Sequence, residues 1–193
     1  MYKQVIVLGS VMLFLVMLGS TLMAADEDRV LFDFGKPDAA KAWVNVNDGV
    51  MGGVSDGRFK INEDKNMEFY GTLSLENNGG FASVRSRPTE VSLKAGDSVA
   101  VRVRGDGREY TFNLYVSRDS GRYSFRKSFK TKKGEWMEVS LPVDKFVATW
   151  RGRVFPDQKL DPSKVNSVGF LLGDKKAGPF KLEVDWIKVT KAK

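Results

Sequence analysis

Cysteine and histidine are both absent from the 193 residues. Without a thiol there is no thiolate–zinc site, no iron–sulfur cluster, no c-type haem attachment and no disulfide. Without an imidazole there is no Ser–His–Asp triad, and the Cys–His dyad is excluded twice over. Carboxylate, lysine or tyrosine catalysis remains, as does an oxygen-ligated cation such as calcium. That inventory argues against an enzyme. Helical periodicity is also nearly missing, and the chain contains no internal repeat and no low-complexity tract.

What is present is an ordinary globular balance, 42% hydrophobic and 28% charged, at a length that suits one domain. The N-terminal stretch stands apart. Lys3 precedes a run from Val5 to Leu18 that is apolar except for Gly9 and Ser10. Ser20, Thr21, Ala24 and Ala25 follow, and Asp26-Glu27-Asp28-Arg29 opens the polar chain. This pattern predicts a secretory signal peptide over residues 1–25, a domain over residues 26–193, and a periplasmic or secreted protein. An uncleaved anchor is the competing reading, with an apolar core shorter than the roughly 20 residues that span a bilayer. An arginine-rich mitochondrial presequence is not the pattern seen. Lys and Arg number 31 against 24 acids. That excess suits anionic lipid, acidic glycan or an acidic protein patch, with no nucleic acid expected for an exported chain.

Beyond residue 29 short runs alternate, as strands with one buried face do. Val99, Val101 and Val103 alternate with Ala100, Arg102 and Arg104; Phe112, Leu114 and Val116 with Thr111, Asn113 and Tyr115. Tyr123, Phe125 and Phe129 share a face on which Lys127 is the exception. Further strands are predicted at Val30–Phe34, Arg58–Ile61, Met67–Leu75, Phe81–Arg85, Trp136–Leu141, Ser167–Leu172 and Phe180–Val189, with a short helical turn at Pro37–Trp43. Asp48-Gly49, Asp56-Gly57, Asn78-Gly79 and Asp106-Gly107 supply turn chemistry, and Pro142 and Pro156 mark edges or loops. Val147–Pro162 is the longest stretch without a pattern. About ten strands at this spacing make an all-β sandwich of jelly-roll character.

The most unusual stretch is Asn47-Asp48-Gly49-Val50-Met51-Gly52-Gly53-Val54-Ser55, followed later by Asn77-Asn78-Gly79-Gly80-Phe81-Ala82-Ser83-Val84-Arg85. Neither is a nucleotide loop, because no Gly-Lys-Ser/Thr precedes a helix. Either both are turns that pack at one end of the sandwich, or together they floor a binding surface.

These residues resemble the complex I intermediate-associated protein family. Val168-Gly169-Phe170-Leu171-Leu172, the run Gly178 to Ile187, Trp136 before Leu141-Pro142, and Arg151-Gly152-Arg153 carry the likeness further, from about Val30 to Val189. The resemblance implies a galactose-binding-like jelly roll, similar to some carbohydrate-binding modules. For mitochondrial members it implies a role as assembly factor for respiratory NADH:ubiquinone oxidoreductase. It carries over no catalytic residue.

The sequence therefore reads as a non-enzymatic, exported interaction module that binds a protein or envelope component, with a protein ranked ahead of a glycan. The alternative is a carbohydrate-binding module with a loop-end or concave-face site. Candidate binding residues are Asn47, Asp48, Met51, Gly52, Gly53, Arg85, Tyr115, Trp150 and Arg151, with Tyr110 as a further exposed aromatic. Trp43, Trp136 and Trp186 are assigned to the core. Arg102, Arg104, Arg118, Arg122, Arg126, Lys127, Lys130, Lys132 and Lys133 form a basic strip, either a solvated face or a surface for acidic glycan or membrane. No cofactor is expected; a structural calcium would draw on Asp26, Glu27, Asp28 and Asp185.

Overall fold

The computed structural model describes residues 28–117 and 123–191, with the side chain of Val50 excepted. The proposed signal peptide, Asp26, Glu27, Arg118 and Arg122 lie outside the described residues.

Alternation becomes strand pairing throughout, and the described residues contain no α-helix, only short 3₁₀ turns. Two antiparallel sheets pack face to face. Six strands form one: β1 (Arg29–Asp33), β3 (Asp56–Ile61), β4 (Met67–Leu73), β6 (Ser98–Arg104), β9 (Trp136–Pro142) and β13 (Gly178–Thr190). Their order is β3-β4-β13-β6-β9, and β1 pairs with β13. Seven strands form the other: β2 (Trp43–Asn45), β5 (Ala82–Ser86), β7 (Glu109–Val116), β8 (Ser124–Lys130), β10 (Val147–Trp150), β11 (Arg153–Val154) and β12 (Val165–Leu172), in the order β11-β10-β8-β7-β12-β5-β2. The chain is an all-β jelly-roll sandwich, with thirteen strands among the described residues rather than about ten.

The core is the shared inner face. Val99, Val101 and Val103 of β6 and Leu182, Val184 and Ile187 of β13 are fully buried, as are Phe112 and Leu114 of β7 and Val168 and Phe170 of β12. Phe112 and Phe170 meet edge to face at 5.1 Å, the arrangement their quadrupoles favour.

At one end the Gly-rich stretches lock together. Asn47 donates from Nδ2 to the Gly57 carbonyl of β3 at 2.8 Å and accepts from the Ser83 amide of β5 at 3.3 Å, so it ties the two sheets. Asp48 is fully buried. Its carboxylate accepts hydrogen bonds from the Ser55 amide and hydroxyl and from the amides of Gly80 and Phe81. Glycine at position 53 permits this, because a Cβ there would lie 2.4 Å from the Asp48 carboxyl carbon.

Two readings of this architecture need correction. Val147–Pro162 is not patternless: β10 pairs with β8, and β11 folds back on β10. The strand escaped notice because its inward residue is Ala148 and its neighbour Thr149 is buried too, leaving no hydropathy alternation. Tyr110 is core rather than platform, fully buried beside Phe129 with its hydroxyl donating to Asp106 at 3.1 Å.

Candidate functional site

Side chains directly opposite one another in a sheet share a face. Across the outer face of the seven-stranded sheet, the registers place Val147, Arg126, Asn113, Gly169, Arg85 and Val44 in one row over six strands. Tyr115 stands one step along β7 from Asn113, opposite Ser124 and Ser167.

Glycine in the middle of this row is what brings the others together. A Cβ on Gly169 would lie 3.4 Å from Tyr115 Cε2 and 2.5 Å from the Val84 carbonyl oxygen. With only hydrogen there, the Tyr115 ring settles across β12, and the Arg85 guanidinium stacks on it at 3.6 Å from the ring centroid. Such a contact contributes about 0.5–2 kcal/mol, depending on how dry it is. Arg126 approaches from the other side and donates from Nε to Ser124 Oγ at 3.1 Å. Burial lowers the pKa of its guanidinium; the Tyr115 phenol opposes that shift and the Arg85 charge adds to it.

Asn113 lies fully buried between the two arginines in the row, and neither polar atom of its side-chain amide has a hydrogen-bond partner among the described residues. Arg85 Nε is likewise buried and unpartnered. A buried polar atom without a partner costs about 1–3 kcal/mol, so three in one row are conspicuous.

Walls rise around this floor to enclose a cavity of about 440 Å³. Met51, Gly80 and Phe81 come from the locked loops, Leu171 and Gly173 from the end of β12, and Arg151 and Gly152 from the β10–β11 hairpin. That hairpin turns in two residues, Arg151 at φ 48° and Gly152 at φ 77°, as a tight type I′ connection requires. Among the described residues, no aspartate or glutamate lines the cavity.

The candidates named from sequence thus divide. Arg85, Tyr115, Met51 and Arg151 line the cavity. Trp150 ends β10, half-buried, with Arg151 over its ring at 5.0 Å. Asn47 and Asp48 sit beneath the loops with their polar atoms engaged by the chain itself, and Gly52 and Gly53 shape the turn above them. Arg126 is expected from sequence only as part of the basic strip and Gly169 only as part of the family likeness, while Asn113 reads in sequence as one more outer-face position of a strand.

The basic strip does not form one surface. Arg102 and Arg104 belong to the six-stranded sheet, where they pair with Asp185 and Glu183, whereas Arg126, Lys127 and Lys130 belong to β8 of the other. Trp136 and Trp186 are not core. Both are half-buried on the outside of the six-stranded sheet, Trp136 under Arg102 and Arg104 and Trp186 under Lys188. Only Trp43 is buried, against Phe32 and Phe34. Asp185, offered for calcium, is engaged by Arg102, and the described residues hold no group of three or more carboxylates placed to hold a metal ion.

The fold is similar to that of the family 11 carbohydrate-binding module of Clostridium thermocellum, solved with a β-1,3-1,4-mixed-linked tetrasaccharide. The TM-score is 0.62 at 17% identity, over 86% of this chain and 96% of the module. It is similar also to part of the agarase AgWH50C, with a TM-score of 0.60 at 10% identity over 86% of this chain and 25% of the enzyme. At such identities the likeness establishes the fold alone. By sequence, the chain is 30% identical over 188 residues to complex I intermediate-associated protein 30, mitochondrial, of Mus musculus, covering 85% of this chain and 56% of that protein. It is 27% identical to the protein of the same name in Drosophila melanogaster, covering 83% and 62%. The chain therefore spans a little over half the length of these relatives. Their mitochondrial designation conflicts with a periplasmic or secreted location and overturns that expectation. Residues 32–184 match the family described as Complex I intermediate-associated protein 30 (CIA30), and the chain belongs to that family.

Proposed function

We propose that the chain is a non-enzymatic interaction module that holds a protein partner on the outer face of its seven-stranded sheet. The observation that carries this reading is the state of the aromatic rings. A sugar-binding platform needs a flat face open to a pyranose. Here Arg85 covers Tyr115 at 3.6 Å, and Arg151 lies over Trp150 at 5.0 Å. What the surface offers instead is Arg151 and the 62%-exposed Met51 at the rim of a cavity walled by Phe81 and Leu171. Arginine, methionine and aromatic residues are the types enriched at protein interfaces. Relatives named for association with complex I intermediates support the same reading. Among the described residues, the cavity lining holds no carboxylate for acid–base work, which supports binding over catalysis.

The glycan alternative uses the same cavity and rests on the likeness of fold to carbohydrate-binding modules. The covered rings weigh against it.

The absence of cysteine makes the test clean, since one introduced thiol is a unique attachment point. Met51→Cys and Arg151→Cys, each carrying a photocrosslinker, are expected to trap the same protein from native extract. Lys60→Cys, on the opposite sheet, is expected not to trap it. A protein trapped only from Lys60→Cys, or glycan adducts alone from the first two, would defeat the proposal.

A further inference from the structure

The two outer faces treat arginine in opposite ways. On the six-stranded sheet one register row runs Lys60, Glu68, Glu183, Arg104 and Trp136 across five strands. Arg104 pairs with Glu183 at 2.6 Å, Lys181 contacts Glu68 and Glu183 at 3.1 Å each, and Arg102 pairs with Asp185. The two adjacent glutamates are bridged by Lys181 and flanked by Lys60 and Arg104, so each carboxylate of the row has cations beside it. The corresponding row on the seven-stranded sheet contains Arg126, Asn113, Gly169 and Arg85 and no acid at all. Neither arginine has a carboxylate partner among the described residues.

Three features make this an anion site rather than a solvated pair of cations. The guanidiniums converge although their strands are separated by β7 and β12, because Arg85 reaches over Gly169 to Tyr115 on β7, the immediate neighbour of Arg126's strand. Both are half-buried, so their mutual repulsion is less screened than at an open surface. In the row between them is the buried Asn113 amide, which does not itself line the cavity and has no hydrogen-bond partner among the described residues, beside the likewise unpartnered Arg85 Nε. Guanidinium groups match carboxylate geometry with paired N–H donors, which a point-charge ammonium cannot do.

We propose that Arg85 and Arg126, over Asn113, form a carboxylate site, and that its occupant is the acidic side chain of a segment of the protein partner. This rests on reading the face as a protein interface. A cavity of about 440 Å³ admits side chains but not a bilayer surface, and Met51, Phe81 and Leu171 give an acidic residue's methylene groups an apolar wall. Arg151 at the rim adds a third charge to draw the segment in.

The test titrates the full chain with an acetyl-capped hexaglutamate peptide, with hexaglutamine, an oligogalacturonate, inorganic phosphate and anionic vesicles as parallel arms. Binding is followed by calorimetry and by the arginine Nε–Hε resonances. Hexaglutamate is expected to bind and to weaken as salt rises, hexaglutamine is expected not to bind, and Arg85 and Arg126 resonances are expected to shift. Arg85→Gln and Arg126→Gln should each weaken hexaglutamate by about tenfold or more. Lys60→Gln, which removes the same charge from the other face, should leave it unchanged. Arg85→Lys and Arg126→Lys keep the charge and lose the fork, so they should lie between, and they supply the readout if a Gln variant fails to fold. Equal loss in Lys60→Gln, no loss in any Arg variant, or tighter binding of oligogalacturonate, phosphate or vesicles than of hexaglutamate would overturn the proposal. The interface is judged separately. Crosslinking from Met51→Cys that survives Arg85→Gln/Arg126→Gln removes the carboxylate site and leaves the interface standing. Arg-dependent hexaglutamate binding with no protein crosslink removes the interface as its setting.

Discussion

The Asp48 carboxylate accepts a hydrogen bond from the Gly80 amide 32 residues away, at 2.7 Å. Through it, the two most unusual stretches of the sequence become one structural unit and set the wall from which Met51 and Phe81 face the cavity. Replacing Asp48 with alanine leaves the amides of Ser55, Gly80 and Phe81 without their acceptor, while the Ser55 hydroxyl keeps the Ser74 carbonyl. The expected cost is about 2–4 kcal/mol, read from the urea midpoint. Ser55→Ala removes the hydroxyl that donates to Asp48 and accepts from the Ser74 amide, and should cost less, about 1–2 kcal/mol. Equal losses would mean that the carboxylate does not organise the loops.

The same relationship sets a pH dependence. Burial pushes Asp48 up, but the Ser55 hydroxyl and the Gly80, Ser55 and Phe81 amides together hold its carboxyl below the usual value. A depressed folded pKa contributes stability above the ordinary carboxylate pKa of about 3.9 and loses it as pH falls through the folded value. Asp174, gripped by Arg108 through two hydrogen bonds, and Glu183, between Arg104 and Lys181, are lowered likewise. Stability should stay level from neutral pH to about 5 and decline below about 4. The gap between wild type and Asp48→Asn should narrow over that acid range. A gap that widens on acidification would reverse the assignment.

Adjacent glycines should respond differently. Gly52 sits at φ 90° with open space where a Cβ would go, so alanine there costs about 1 kcal/mol of backbone strain. Gly53 meets the Asp48 side chain, which its hydrogen bonds hold in place, so alanine there should cost more, about 2–3 kcal/mol. Melting temperatures of the two single variants give the order directly, and Gly53→Ala must be the lower.

Tryptophans separate core from surface. Trp43→Ala should lose about 3–5 kcal/mol, as truncation of a buried aromatic does. Trp136→Ala and Trp186→Ala remove rings held by arginine or lysine on an outer face, and about 1 kcal/mol each is expected. Chemical denaturation of the three variants decides whether the outer-face assignment holds.

Strand and turn were written locally. The alternation of Val99, Val101 and Val103 set both the strand and its buried face, because a period of two has only one way to hide three valines from water. Asp48-Gly49 and Asn78-Gly79 marked their turns by side chains that tolerate compact backbone. Excluded chemistries, too, followed from composition, since no fold supplies a missing thiol or imidazole. Val147–Trp150 was illegible because Ala148 and Thr149 are both buried, and packing alone distinguishes such a strand from a loop. The candidate site required the tertiary structure. Arg85, Asn113, Arg126 and Gly169 are spread over 85 positions of sequence and meet only because β12 pairs between β5 and β7. Charge balance was decided at the same level: arginines of identical appearance in β6 and β8 face carboxylates in one sheet and, among the described residues, none in the other. Hydrogen bonding across strands is long-range in the chain, so which residues share a row is set by sheet order, which no local pattern encodes.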